Sequence, residues 1–355
     1  MEPVAVALAS NERYFSGLYC AVASALSNLD VTREVDFKVL DGGISEQSKK
    51  VLSDVVERFG TRARLVFVPI DETIFCGAAL GPAESHMTYC RTLLPRLLNV
   101  RRVIYLDCDL LVFRDLSKLF DFNLPPGRIL AAVADSETLT LGDDSRKIAG
   151  AMNLPPAGRY FNAGVMLLDL DELRRENFSE RSLDFFRNFS GHYRFHDQSA
   201  LNFLLYDQIH DLPEYWNRAS WRFDDQENNT LECVLHYTTS APWLGGTPGP
   251  AQVLFERFAL ESRLPVNRQI AGFRKSRRRH LFRDLLAPGR AVGFPLVALL
   301  YRLAGQKEKC IAYRKAGRYW LNYIRKSPAR RRLRRRRVRE IARMKFNVST
   351  VSISA

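Results

Sequence analysis

The first hundred residues alternate between short apolar runs and longer stretches whose apolar positions recur three and four apart. Residues 4–9, Val-Ala-Val-Ala-Leu-Ala, are unbroken apolar chain, the pattern of a strand buried on both faces. Residues 17–26 predict an Ala-rich helix, and residues 35–40 a strand that breaks at Asp41-Gly42-Gly43. Ser45-Glu-Gln-Ser has the form of a helix start; Val51, Leu52, Val55, Val56 and Phe59 then share one face until Gly60. Residues 64–69 predict a third strand, 89–98 a helix, and 103–106 a fourth strand ending at Asp107. Such alternation predicts an α/β fold with a mostly parallel central sheet and helices on its faces. Further strands are expected at 129–134 and 165–170, and helices at 178–189 and 198–206. A Gly/Pro-rich passage, 242–250, marks the expected edge of the folded body.

Composition adds a division that periodicity does not show. With 355 residues, 46% hydrophobic and 26% charged, the chain can bury a sizeable core, which excludes a mainly disordered or fibrous protein. The net charge of +14 is unevenly spread. Residues 268–355 hold 26 Lys and Arg against 3 acidic residues, whereas residues 1–267 hold 27 basic and 36 acidic ones. A mildly acidic body, residues 1–265, therefore carries a strongly basic extension, residues 266–355, expected to be partly amphipathic and helical. The six cysteines are scattered without metal or disulfide spacing and read as reduced, apolar fillers. Met1-Glu2-Pro3 lacks the basic start of a secretory signal, and no apolar run approaches the ~20 residues needed to span a bilayer. A cytoplasmic protein is expected.

Candidate chemistry centres on Asp107-Cys108-Asp109, directly after the fourth strand. Ligands of open α/β sheets bind outside the carboxyl ends of strands. Two carboxylates placed there repel each other unless a cation lies between them, and hard divalent ions also take nucleotide phosphate oxygens. A capping acidic pair is the bland alternative. A haloacid-dehalogenase-like phosphohydrolase would use the first Asp as nucleophile in a DxDx(T/V) pattern, which Leu111 does not complete.

Four segments in order resemble the retaining glycosyltransferases of family 8, the group of bacterial lipopolysaccharide galactosyl- and glucosyltransferases and glycogenin. They are Thr88-Tyr-Cys-Arg91-Thr-Leu-Leu-Pro95, Val103-Ile-Tyr-Leu-Asp107-Cys-Asp109, Tyr160-Phe-Asn162-Ala-Gly164-Val and His196-Asp197-Gln198-Ser-Ala-Leu-Asn202. A fifth, His236-Tyr237 with Pro242-Trp243, matches in part. The resemblance covers roughly residues 1–260 and implies a GT-A-type nucleotide-sugar fold. It implies Asp107, Asp109 and His236 as metal ligands, with Mn2+ favoured over Mg2+ because an imidazole joins the set. It implies a UDP-sugar donor site at Ala9, Asn11, Tyr14, Arg91, Asp107, Cys108, Asn162, Ala163 and Gly164. Gln198, Asp197 and Asp135 would lie against the transferred sugar, and Gln198 would stabilise positive charge through its carbonyl.

The chain departs from the family pattern at Asn11-Glu12-Arg13, where Arg13 replaces a small amide. After His236 a Gly and a Lys near the pyrophosphate are missing, and the stretch is one residue shorter. The resemblance implies a hexosyltransferase acting on a cell-envelope glycan or glycolipid. The basic extension, with Tyr313, Tyr319, Trp320 and Tyr323 among its cations, fits an anionic membrane surface on the inner face of the plasma membrane. Nucleic acid, or a plain solvated helix, is the alternative for those cations. A silent GT-A domain that only binds such a surface remains the non-enzymatic alternative.

Overall fold

The computed structural model describes residues 2–79, 85–225, 231–238, 241–244 and 249–265, with residues 296, 299, 336–341, 343, 344 and 346 beyond them. The chain opens as β1 (Val4–Ser10), α1 (Phe15–Asn28), β2 (Val35–Asp41), α2 (Glu46–Glu57) and β3 (Ala63–Pro69). A 3-10 turn (Met87–Leu93) leads into the short α3 (Leu94–Leu97), then β4 (Arg102–Leu106), β5 (Leu110–Val112) and α4 (Ser117–Phe120). There follow β6 (Leu130–Ala134), α5 (Leu141–Ala151), β7 (Phe161–Asp169), α6 (Leu170–Arg175), α7 (Phe178–Asn188) and α8 (His196–Leu204). The described body ends with β8 (Ile209–Asp211), β9 (Arg218–Ala219), α9 (Ser220–Asp225), β10 (Val234–His236) and α10 (Pro250–Glu261).

Seven strands form one sheet in the order β3-β2-β1-β4-β7-β6-β8. β1 runs parallel to β2 and β4, and β2 to β3, while β7 is antiparallel to both β4 and β6. The sheet is thus mixed and mostly parallel, and only β7 departs from the expected direction. Strand order reverses between β1 and β4, because β2 and β3 lie to one side of β1 and all later strands to the other. That switch point opens a crevice at the carboxyl ends of β1 and β4. β1 and β4 are the apolar runs seen in the sequence, and nearly every residue in them is buried. A second sheet of three very short strands, β5-β10-β9, carries His236 at its end. Strands of two or three residues leave little periodic trace, and of this sheet only the apolar pair Val234-Leu235 before His236 reads as strand in the sequence.

Two expectations need correction. The helix expected at 89–98 is a 3-10 turn from 87 to 93 followed by one α-helical turn. The Gly/Pro passage does not end the body either. α10 lies beyond it, with Leu254, Phe255 and Phe258 fully buried. Distant segments close the body here: Tyr19 on α1 donates to the Ser262 carbonyl, and Trp243 Nε1 donates to the Arg13 carbonyl at 3.2 Å. A Cβ on Gly17 would overlap the Trp243 ring and come within 2.6 Å of the Cys108 carbonyl, so only glycine lets α1 approach this closely. The described part of the extension also returns to the body. Ile341 is buried, Arg257 on α10 donates to the Ile341 and Met344 carbonyls, and Phe346 packs on Phe113 and Phe258.

Candidate active site

The crevice at the switch point is lined by Ala9, Asn11, Tyr14, Arg91, Asp107, Cys108 and Asp109, all singled out in the sequence, with Ser85, Met87, Thr88 and Tyr105 among its other walls. β1 delivers the first residues, the 3-10 turn delivers Thr88 and Arg91, and β4 delivers the carboxylates. Asn11 spends its side-chain oxygen on the Tyr14 amide, capping the turn that enters α1. Tyr14 in turn meets Trp243 edge-on at 5.5 Å. Cys108 Sγ points back to the Ala9 carbonyl at 3.2 Å. Burial pushes its thiol well up, so it is a packing group rather than a nucleophile.

Asp107, Asp109 and His236 offer ligand atoms that all lie within 4.8 Å of one another. His236 Nδ1 faces Asn217 Oδ1 at 2.8 Å, and Asn217 Nδ2 donates to Asn162 Oδ1 at 2.8 Å. The amide oxygen can only accept, so Nδ1 carries a proton and the ring turns its Nε2 edge toward the carboxylates. Nε2 lies 3.1 Å from Asp109 Oδ1 and 3.7 Å from Asp107 Oδ2. Three acceptors facing one another need a second ring proton or a cation. Burial lowers the proton affinity of His236, but attraction to Asp109 outweighs it and raises the pKa. Two carboxylate oxygens and an imidazole nitrogen, oriented by an outer hydrogen bond, fit a divalent ion in chemistry and in spacing. Gly164 completes the fit: a Cβ there would collide with the His236 ring and come 3.0 Å from Asp107 Oδ2.

Arg91 forms the other half of the centre. It is buried, with Nη2 2.8 Å from Asp107 Oδ1, Nε 2.7 Å from Asp197 Oδ2, and Nη1 donating to the Ala163 carbonyl at 2.7 Å. Its guanidinium lies over the Tyr105 ring at 4.4 Å. Burial opposes its charge, but Asp107 and Asp197 outweigh that and hold it firmly protonated. Arg91 is therefore a clamp on protein carboxylates, with most of its donor capacity spent inside the chain. Asp197 also accepts from Thr88, and burial pushes its carboxyl up to about 6 against the pull of Arg91.

Asp135, Asn162, Gln198 and Asn202 form a continuous amide network. Asp135 Oδ2 accepts from Asn162 Nδ2 at 3.1 Å and Gln198 Nε2 at 3.3 Å, and its Oδ1 accepts from two backbone amides. Gln198 Oε1 accepts from the Ala163 amide at 3.0 Å, and Asn162 Oδ1 from the Gly164 amide at 3.0 Å. The β6–β7 register shifts between Ala132 and Val133, so that Val133 lies opposite Asn162 and residues 163–165 of β7 bulge out of this pairing. Asn217 and Tyr105 were missed in the sequence, since a lone amide and a core-like tyrosine carry no spacing signal.

Comparison with known proteins agrees with this geometry. The chain matches "Glycosyl transferase family 8" over residues 5–246. It is 33% identical over 257 residues to general stress protein A of Bacillus subtilis, covering 67% of this chain and 85% of that one. Lipopolysaccharide 1,2-glucosyltransferase of Escherichia coli is 24% identical over 272 residues, covering 72% of this chain and 77% of the relative. Among solved structures, galactosyltransferase LgtC in complex with donor and acceptor sugar analogues superposes with a TM-score of 0.60 at 23% identity, covering 72% of this chain and 95% of that one. That likeness shows the GT-A fold. The phosphohydrolase reading is set aside, and the chain belongs to glycosyltransferase family 8.

Proposed function

We propose that the chain transfers a hexose, galactose or glucose, from a UDP-sugar to a cell-envelope glycan or glycolipid, with retention and dependence on Mn2+. The observation that carries this reading is the confrontation of His236 Nε2 with Asp109 and Asp107 at the switch point, where a shared divalent ion takes the place of a second ring proton between three facing ligand atoms. The lipopolysaccharide glucosyltransferase and the sugar-bound galactosyltransferase among the relatives support a hexose donor.

Asp107, Asp109 and His236 would hold the ion, which when bound neutralises charge on the departing diphosphate. Arg91 fixes Asp107 from behind through its Nη2 contact. Asn217 fixes the ring and tautomer of His236. Retention needs either a protein nucleophile or transfer on one face of the sugar. Asp197 is buried against Arg91, and Asp135 is saturated by four hydrogen bonds, so neither carboxylate is free to attack. The front-face route fits these residues. The C1–O(phosphate) bond breaks and the acceptor oxygen bonds C1 from the same side, its proton passing to the departing phosphate. Gln198, held by the Ala163 amide and Asp135, directs its second carbonyl lone pair at the developing positive charge.

Calorimetric titration of UDP with and without Mn2+, repeated on Asp109→Ala, tests the donor site. Binding that needs both the ion and Asp109 is expected, and metal-independent binding in the variant overturns the reading. NMR of the product tests retention, and an inverted anomeric centre refutes it. For the extension we propose contact with an anionic membrane surface. The full chain should sediment with vesicles containing phosphatidylglycerol and lose them in high salt. Preference for RNA over vesicles would transfer those cations to the nucleic-acid alternative. Among the described residues no helix is long and apolar enough to cross a membrane.

A further inference from the structure

α8 starts in an unusual way. Its first residue, His196, has φ +53°, in the left-handed region, while Phe195 before it is extended to bridging at φ −121° and ψ 31°. A non-glycine residue there is uncommon, and such residues persist where the surroundings hold them. The surroundings here are specific. His196 Nδ1 lies 3.0 Å from the Tyr89 hydroxyl, and the two rings meet edge-to-face at 5.7 Å. The direction of each hydrogen bond follows from counting protons. Tyr89 has one, and it goes to the Ala79 carbonyl at 2.7 Å, which can only accept. The Tyr193 hydroxyl at 3.3 Å and His196 Nδ1 then both donate to the Tyr89 oxygen. Tyr193 itself accepts from the Ala79 amide at 3.4 Å. The network closes only with the proton on Nδ1. Burial, which lowers the His196 pKa, agrees with a neutral ring.

The next two residues are the ones that matter chemically. Asp197 pairs with Arg91 Nε at 2.7 Å, and Gln198 Oε1 accepts the Ala163 amide at 3.0 Å. Tyr89 and Arg91 sit on the same 3-10 turn. Two consecutive residues of α8 are thus attached to two nearby residues of that turn, which fixes both the distance and the rotation of the helix start. A helix entered through ordinary right-handed backbone would turn the two side chains away from Arg91 and Ala163.

We propose that His196 is a positioning residue of the transfer site: its left-handed backbone and its Nδ1–H bond to Tyr89 aim Asp197 at Arg91 and Gln198 at the Ala163 amide. It lines no part of the donor crevice. The consequence for turnover rests on the transferase reading above; the consequence for geometry does not.

The test uses the full-length protein and its variants His196→Ala, His196→Asn and Tyr89→Phe. His196→Ala should lower kcat roughly tenfold to a hundredfold, with the donor KM changed by less than threefold, because a small misplacement of positioning groups has that effect on turnover. His196→Asn, which tolerates left-handed backbone, should recover more than half of the loss on a logarithmic scale. Tyr89→Phe should lower kcat several-fold, through the latch alone. Independently of activity, solvent exchange of the Arg91 Nε–H followed by NMR should speed up at least tenfold in His196→Ala. Wild-type kcat in His196→Ala, or unchanged Arg91 exchange, overturns the proposal. So does a loss of kcat that only tracks a fall in melting temperature, or one that His196→Asn does not relieve. If the wild-type protein transfers no sugar, the transferase reading fails, and the Arg91 exchange still decides the role of His196.

Discussion

The centre has two walls that work by different physics. One is ionic, with Arg91, Asp107, Asp109, Asp197 and His236 held in mutual contact. The other is built from carboxamides, with Asn162, Gln198, Asn202 and Asn217 linked through backbone and through Asp135. Charge acts over several ångströms and tolerates small displacements, so the ionic wall suits capture of a cation and a diphosphate. Amide hydrogen bonds weaken steeply with angle, so the second wall suits orientation of a sugar ring. The walls meet at two joints, where His236 touches Asn217 and Arg91 Nη1 donates to the Ala163 carbonyl. The difference teaches where affinity and where geometry should be lost.

Substitutions can break that division in order of severity. Asp109→Ala strikes the ionic wall and should reduce Mn2+-dependent turnover about a thousandfold, roughly 4 kcal/mol, with UDP binding lost in calorimetry and near-native circular dichroism. Gly164→Ala strikes the joint, because the added methyl meets the His236 ring. Turnover should fall about a hundredfold and thermal stability should drop by about 1–3 kcal/mol. Both walls then suffer together, and a variant that lost only stability would show the joint to be soft.

Asn217→Ala removes the outer support of His236 and should weaken Mn2+ affinity about tenfold in a metal titration, while the ligands themselves remain. Unchanged metal affinity would remove Asn217 from the metal's support. The smallest effect is on pH. Asp197 pairs with Arg91 while ionised, and burial has raised its carboxyl to about 6, so the pairing is complete above that pH and fades below it. kcat should fall about twofold on going from pH 7 to pH 6 and further by pH 5, a limb absent from the residual activity of Asp197→Asn.

Most of the fold was legible where one element occupies one continuous stretch. The runs at 4–9, 35–40 and 103–106 are buried strands because no polar residue interrupts an inward face. The sequence reading failed where tertiary contacts override local pattern. The strand expected from residue 165 in fact begins at Phe161 as β7, held in the sheet by the Asn202 side chain, which spans both the amide and the carbonyl of Phe161. The 3-10 turn at 87–93 reads as α-helix because its apolar spacing is helical. Its tighter winding is part of the path that brings Thr88, Tyr89 and Arg91 to Asp197 and His196. Residues of the site were visible through motifs, whereas the partners that orient them were not. Asn217 and Tyr105 act through direction, and direction is not encoded in spacing.

The long-range closure of the body also has a consequence in time. Trp243 seals against a turn 230 residues earlier, and Ser262 receives a bond from a helix 243 residues earlier. On a ribosome adding roughly 5–20 residues per second, the first strands and α1 wait on the order of ten seconds or more for these partners. A nascent chain ending before Trp243 can pair β1, β2 and β4 while the crevice still lacks its Tyr14–Trp243 side. The crevice is therefore among the last parts of the body to be completed during synthesis, although the residues that begin it are among the first to emerge.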